Sequence, residues 1–224
     1  QAEDHFEAIM LAYRAARGRA AEIRGEAYAL SDELALQLGH GRLADAAWTE
    51  EVVSPTLRDL CEGFAVGVNA WMVSHPDTIP EWAEGAKPSD PLALMHFYLM
   101  GFAPFDADMA HPQPSAASAN LFAVSPRRTA DGAPLLALNP HTFYDGPFTW
   151  YEAHLQAEDL HVSGATLLGL PVILQGHNEV LGWGLSPNDA DFADQYIEST
   201  YVAVHRNPRT PTGRGLAEDG YYMK

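Results

Sequence analysis

The chain has 224 residues, a formal net charge of −17 and 47% hydrophobic residues. This composition is typical of a globular protein, and the excess of acid argues against nucleic acid and anionic membranes as partners because both attract clustered Lys and Arg. The single cysteine, Cys61, excludes an internal disulfide, and no apolar run reaches the roughly 20 residues of a membrane span.

The first half of the chain is predicted to be helical. Apolar residues at helical spacing run from Phe6 towards Arg17 and stop near Gly18. The segment "SDELALQLG" offers Ser31 as an N-cap and Gly39 as a stop.

The clearest helix prediction is "SPTLRDLCEGFAVGVNAWM", in which Ser54 is the expected cap and Pro55 the first-turn residue. The buried face of this helix is expected to hold Leu57, Leu60, Cys61, Phe64, Val68 and Trp71. Cys61 is therefore interpreted as a packing residue and not as a nucleophile. Another helix, "SDPLALMHFYLMG", is predicted to begin at Ser89.

After residue 118 the pattern changes to short apolar strands. The predicted strands lie within "NLFAVS", "PLLAL", "FTWYEAHLQ", "LHVSGATL", "PVILQGHN", "VLGWGLS" and "QYIESTYVAV". Helices first and strands second indicate an α+β protein.

Few residues stand out for chemistry on spacing alone. His141 and His177 lack the paired spacing of zinc sites. The segment "NDADFAD" places Asp189, Asp191 and Asp194 close together after a strand, which suits either a hard cation such as calcium or a solvated loop. Both interpretations stay open at this point.

Six stretches occur together, namely "AYRAARGRAAEIRGEA", "GFAVGVNAW", "NLFAVSPRRTADGAPLLALNPH", "WYEAHLQ", "GATLLGLPVILQGHNEVLGWG" and "DADFADQYIE". In this order they resemble the penicillin acylase family of N-terminal nucleophile hydrolases, which includes the acyl-homoserine lactone and cyclic lipopeptide acylases. The resemblance implies a four-layer αββα sandwich. It divides the chain into a helical segment (1–108), a linker or processing region (109–118) and the start of the sheet core (119–224).

The resemblance also implies a mechanism. The family precursor cuts itself, and the serine that becomes the first residue of the second chain attacks a linear amide with its own α-amine as the base. The expected substrate is a small N-acylated molecule, whose acyl side would meet residues such as Met95, Phe97, Tyr98 and Met100 unless these only pack the core. The resemblance further implies a periplasmic or secreted location.

The residue at the nucleophile position departs from the family pattern. The match runs without gaps through Asn139, Pro140 and the candidate catalytic His141, which assigns the nucleophile position to Ala119 where serine is expected. Alanine has no hydroxyl, so the sequence as written is expected to be inactive unless the cut falls one residue earlier and Ser118 replaces it.

Two further expectations come from the resemblance. The backbone N–H of the oxyanion hole maps onto Pro187, which has none, unless the alignment slips to Asn188. Structural calcium, bound in some family members, would use Asp191 and Asp194, with Asp189 as a weaker ligand.

The chain is expected to be a piece of a longer protein, so the remaining part of the acylase chain is a possible partner. Two alternatives remain: an inactive relative that binds acylated ligands, and a metal-assisted hydrolase that uses His141, His177 and the aspartates.

Overall fold

The computed structural model describes residues 1–49, 52–101, 119–141, 148–157 and 160–186, all of which belong to one compact unit. Helices fill the first half of these residues and two antiparallel sheets fill the second, so the α+β prediction is confirmed. No helix in these ranges is long and apolar enough to span a bilayer. The predicted division at residues 109–118 lies outside them and stays a prediction.

The helices are α1 (Ala2–Ala16), α2 (Ala21–Arg24), α3 (Ala29–Leu38), α4 (His40–Thr49), α5 (Pro55–Ser74) and α6 (Asp90–Gly101). The start of α5 is as predicted, because Ser54 Oγ accepts the Leu57 N–H at 3.4 Å. Gly39 ends α3 with a left-handed φ of +69°, also as predicted. Two predictions are wrong: Ser31 lies inside α3, and Leu60 is exposed.

The strands are β1 (Ala119–Val124), β2 (Leu135–Pro140), β3 (Trp150–Gln156), β4 (His161–Leu167), β5 (Gln175–His177) and β6 (Gly182–Trp183). A two-stranded sheet pairs β1 with β2, and a four-stranded sheet has the order β3-β4-β5-β6. The prediction of a strand within residues 195–204 lies outside the described residues.

The turn that follows β4 joins the helices to the four-stranded sheet. Leu167, Leu168 and Leu170 are buried in the same core as α1 and α6. The Tyr13 hydroxyl donates to Gly169 O at 2.8 Å, and the Tyr98 hydroxyl donates to Leu168 O at 3.1 Å. Burial of this turn is possible because its backbone carbonyls find donors on the helices.

Gly169 is required at the centre of this turn. Its φ is +88°, in the region that disfavours side chains, and a Cβ there would lie 2.7 Å from Leu94 Cδ2. The side chain of Gln1 also binds here, accepting from Gly169 N at 3.0 Å and donating to Leu170 O at 3.2 Å.

An ion-pair network around Arg17 fastens α1 to the start of α6. The guanidinium donates to Asp90 Oδ1 at 2.6 Å, to Asp45 Oδ2 at 3.0 Å and to Ser89 Oγ at 3.0 Å. Asp90 and Ser89 are buried, so Arg17 supplies the charge that keeps Asp90 in the interior.

We expect Arg17→Ala to lower the free energy of unfolding by about 3–5 kcal/mol, because it leaves the Asp90 carboxylate buried without its cation. Arg19→Ala is the matched control: Arg19 bridges Glu22 and Glu84 at the surface, and its loss should cost about 0.2–1 kcal/mol. Urea unfolding followed by circular dichroism measures both changes, and equal losses would contradict the assignment.

Two histidines meet where α4 packs on α6. The Nδ1 atoms of His40 and His96 lie 2.9 Å apart, so one ring must donate and the other accept. His40 is buried, and this burial, followed by the nearby His96 ring, lowers the pKa of His40 to about 4. His40 is therefore neutral at pH 7 in the folded protein.

Acid should weaken the fold through His40. The unfolded chain binds a proton as pH falls below about 6.5 while the folded chain resists until about pH 4, so unfolding becomes easier by about 3 kcal/mol at pH 4. Urea unfolding between pH 7.5 and 4 should show this loss in the unchanged chain, and His40→Leu should flatten it. His177→Gln replaces an exposed histidine and should keep the original pH dependence. A His40→Leu profile parallel to that of the unchanged chain would refute the role of His40.

Candidate functional site

The predicted nucleophile position is the first residue of β1. Ala119 is half-buried and lies opposite Pro140 in the β1–β2 register, with Asn120 opposite Asn139. Since alternate residues share a face, the Ala119 methyl group lies on the same face as Leu121. Pro140 has no N–H, so it donates no ladder hydrogen bond to Ala119 O.

The other face at this end of the hairpin carries a polar cluster. The Asn120 amide nitrogen lies 2.9 Å from His141 Nε2, and that of Asn139 lies 3.4 Å from it. Amide nitrogens only donate, so Nε2 accepts in this arrangement. His141 is thus bound to Asn120 and Asn139. The sequence analysis did not assign these asparagines a role, although their opposed positions on paired strands could have indicated one.

The side chain of Ala119 is a methyl group, so it can neither attack a carbonyl carbon nor take part in proton transfer. A serine there would carry its hydroxyl on the Leu121 face, while His141 binds the asparagines of the opposite face. The geometry therefore associates His141 with holding the hairpin end.

The chain around β6 packs against this hairpin, shortly before Pro187, the position predicted for the oxyanion-hole N–H. Gly182 contacts Leu136, and a Cβ added at Gly182 would lie 2.7 Å from Leu136 Cδ2. Gly184 lies in the same way against Leu138 and Leu121. The glycines let β6 approach the hairpin closely, and they bring the chain just before residue 187 next to the face that carries residue 119.

Several predicted site residues lie outside the described residues: Ser118, Pro187, Asn188, Asp189, Asp191 and Asp194. Their roles stay predictions, as does calcium. Among the described residues no three His, Cys, Asp or Glu side chains converge as a metal site would require. His141 follows β2 in the hairpin, and His177 is exposed on β5 in the other sheet.

The side chains considered for an acyl pocket mainly pack the core. Tyr98 is 1% exposed and binds the turn after β4, while Met95 and Phe97 are partly buried against the same core. Cys61 is fully buried, and burial raises the pKa of its thiol to about 11. The thiol is therefore protonated at neutral pH, which confirms its interpretation as a packing residue.

A cleft of about 690 Å³, a volume typical of ligand pockets, lies between α5, β3 and the start of α1. Gly63 and Gly67 line it, and a Cβ at either position would meet open space. No residue of the β1–β2 hairpin lines it, so we do not assign it to the chemistry at residue 119.

Comparison with known proteins finds acylases among the relatives of this chain. Acyl-homoserine lactone acylase PvdQ of Pseudomonas putida is 30% identical over 184 residues, covering 80% of this chain and 21% of the relative. PvdQ of Pseudomonas fluorescens is 26% identical over 217 residues, covering 82% and 27%. Penicillin acylase 2 proenzyme of a Pseudomonas species is 25% identical over 262 residues, covering 88% and 34%.

The chain thus spans between about a fifth and a third of the length of these relatives. The sequence profile of the family described as penicillin amidase matches residues 1–211, nearly the whole chain. The helices followed by two antiparallel sheets agree with part of the N-terminal nucleophile hydrolase fold that the resemblance implies. The chain belongs to the penicillin amidase family.

Proposed function

We propose that this chain carries the nucleophile strand of an amidohydrolase that releases an acyl group from a small N-acylated molecule, and that Ala119 makes the sequence as written inactive. The observation that carries the proposal is the position of Ala119, which opens β1 where the family expects serine. The names of the relatives, acyl-homoserine lactone acylase and penicillin acylase, support a linear amide as the substrate bond.

With serine at position 119 and a cut before it, one residue would supply both the nucleophile and the base. The α-amine would accept the hydroxyl proton through a water molecule, and Oγ would attack the amide carbonyl. The α-amine would pass that proton to the substrate's amine, which would leave, and water would then hydrolyse the acyl ester formed on Oγ. An α-amine has a pKa near 7.7–8.0, so a large fraction is neutral at mildly alkaline pH.

The oxyanion needs donors beside residue 119. We propose that the backbone N–H of Asn188 is this donor, because Pro187 has no N–H. Both residues come shortly after β6, which contacts the hairpin. A missing donor of this kind costs about 3–4 kcal/mol of transition-state stabilisation. The proposal includes the periplasmic or secreted location that the resemblance implies.

One alternative has a specific observation in its favour. Ala119 would let an acylase scaffold bind an acylated ligand and retain it unchanged, because binding needs no hydroxyl. Binding of an N-acyl-homoserine lactone without release of its amine, in the unchanged chain, would support this inactive relative. The metal-assisted hydrolase has no such support among the described residues.

Ala119→Ser tests the proposal. We expect the unchanged protein to stay as one chain and the variant to split, with the new fragment starting at residue 119, because only the variant has a hydroxyl to attack the preceding peptide bond. Intact-mass spectrometry measures the cut. The assay should use the whole natural protein.

Two controls sharpen this experiment. Ala119→Val fills the position without a hydroxyl and should stay whole. Ser118→Ala in the Ala119→Ser background should still split if residue 119 is the nucleophile. Splitting of the unchanged chain before Ser118 would overturn the assignment, and a split variant that releases no amine from N-acyl substrates would overturn the proposed reaction.

Calcium should stabilise the folded protein if Asp191 and Asp194 bind it, because the ion removes the repulsion between their carboxylates. We expect the melting temperature to rise with calcium and to fall with chelator, and Asp191→Asn with Asp194→Asn to abolish the difference. Asp131→Asn is a matched control, since Asp131 lies in the β1–β2 connection. Identical melting curves in calcium and in chelator would remove the metal assignment.

A further inference from the structure

We propose that His154 and His161 together bind a late first-row divalent metal ion such as Zn²⁺ on the exposed face of the four-stranded sheet. The site is a pair of imidazoles held in place by Ser163 and Glu179. It lies on β3 and β4, in a different sheet from residue 119, and does not depend on the proposed hydrolase function.

The strand register places both histidines on one face. His154 pairs with Ser163 across β3 and β4, and His161 lies two residues before Ser163 on the same strand. Residues two apart share a face, so both rings project from the same side. Their centroids are 5.1 Å apart and their planes are nearly perpendicular, which means that the rings touch.

Each ring is oriented by a hydrogen bond at its Nδ1 atom. His161 Nδ1 lies 3.1 Å from Glu179 Oε1, and His154 Nδ1 lies 2.6 Å from Ser163 Oγ. When Nδ1–H donates to a carboxylate or hydroxyl oxygen, Nε2 keeps its lone pair. A histidine whose other nitrogen is bound in this way is the usual form of a metal ligand, because the bond fixes the tautomer and the ring direction.

Imidazole nitrogens favour zinc, copper and nickel over calcium and magnesium. Two ligands at the zinc–nitrogen distance of about 2.0–2.1 Å in tetrahedral geometry hold their nitrogens about 3.3 Å apart, a spacing that small rotations of two touching rings can provide. The described residues bring no third His, Cys, Asp or Glu to the same point, so water completes the coordination. We therefore expect a modest affinity that depends on both histidines.

Isothermal titration of the full chain with ZnCl₂ tests the site. His154→Ala and His161→Ala should each weaken binding by at least about tenfold, and Glu179→Gln by about tenfold or more, because the carboxylate orients the His161 ring. His5→Ala is the matched control: His5 is an exposed histidine on α1 that contacts Tyr151, and Tyr151 lies on the opposite face of β3 from His154. It should leave the zinc affinity within about twofold of the unchanged value.

A second measurement uses the unchanged protein and needs no variant to fold. Diethyl pyrocarbonate modifies accessible imidazoles, and peptide mass spectrometry should show that zinc protects His154 and His161 but not His5. Loss of affinity in His5→Ala equal to that in His154→Ala would overturn the proposal, since it would indicate general binding by exposed histidines. Equal modification of His154 and His161 with and without zinc would also overturn it.

Discussion

The fold depends on the buried turn that follows β4, where backbone carbonyls receive hydrogen bonds from helical tyrosines. Tyr13 of α1 binds Gly169, Tyr98 of α6 binds Leu168, and the apolar side chains of the turn fill the space between these helices. Helical and sheet halves that lie far apart in the sequence are therefore joined through a few polar contacts inside an apolar core, where an unpaired carbonyl would be costly. The Arg17 network supports this join by fixing the two helices to each other.

The β1–β2 hairpin that carries residue 119 is held in a different way. Its leucines pack on the glycines around β6, while the polar cluster at His141 ties together the opposite face at its open end. The leucine contacts lie within the two strands, while the polar cluster lies at the end of the hairpin where residue 119 begins β1. Alanine and serine differ by one oxygen atom, so either residue adds a similar volume at this half-buried position.

The elements could be predicted from the sequence where one local signal sufficed. Ser54 and Gly39 mark the ends of helices by their own hydrogen bonding and backbone conformation. The prediction failed at Ser31, because a serine can cap a helix or lie within it. It also omitted α4, although Leu43, Ala44, Ala47 and Trp48 recur there at helical spacing. The His40 contact and the cluster at Asn120 arise only in three dimensions. The nucleophile position came from the resemblance, since alanine carries no chemical signal.

The contact between Gln1 and the turn at Gly169 also bears on how the protein is made. The residues joined there are separated by 168 positions, so the first helix is synthesised long before its core partners exist. At about 5–20 residues per second, translation would take roughly 8–34 seconds to cover that distance. During this time the apolar stripe of α1 has no sheet to cover it, so α5 and α6 are available as its packing partners before the turn emerges.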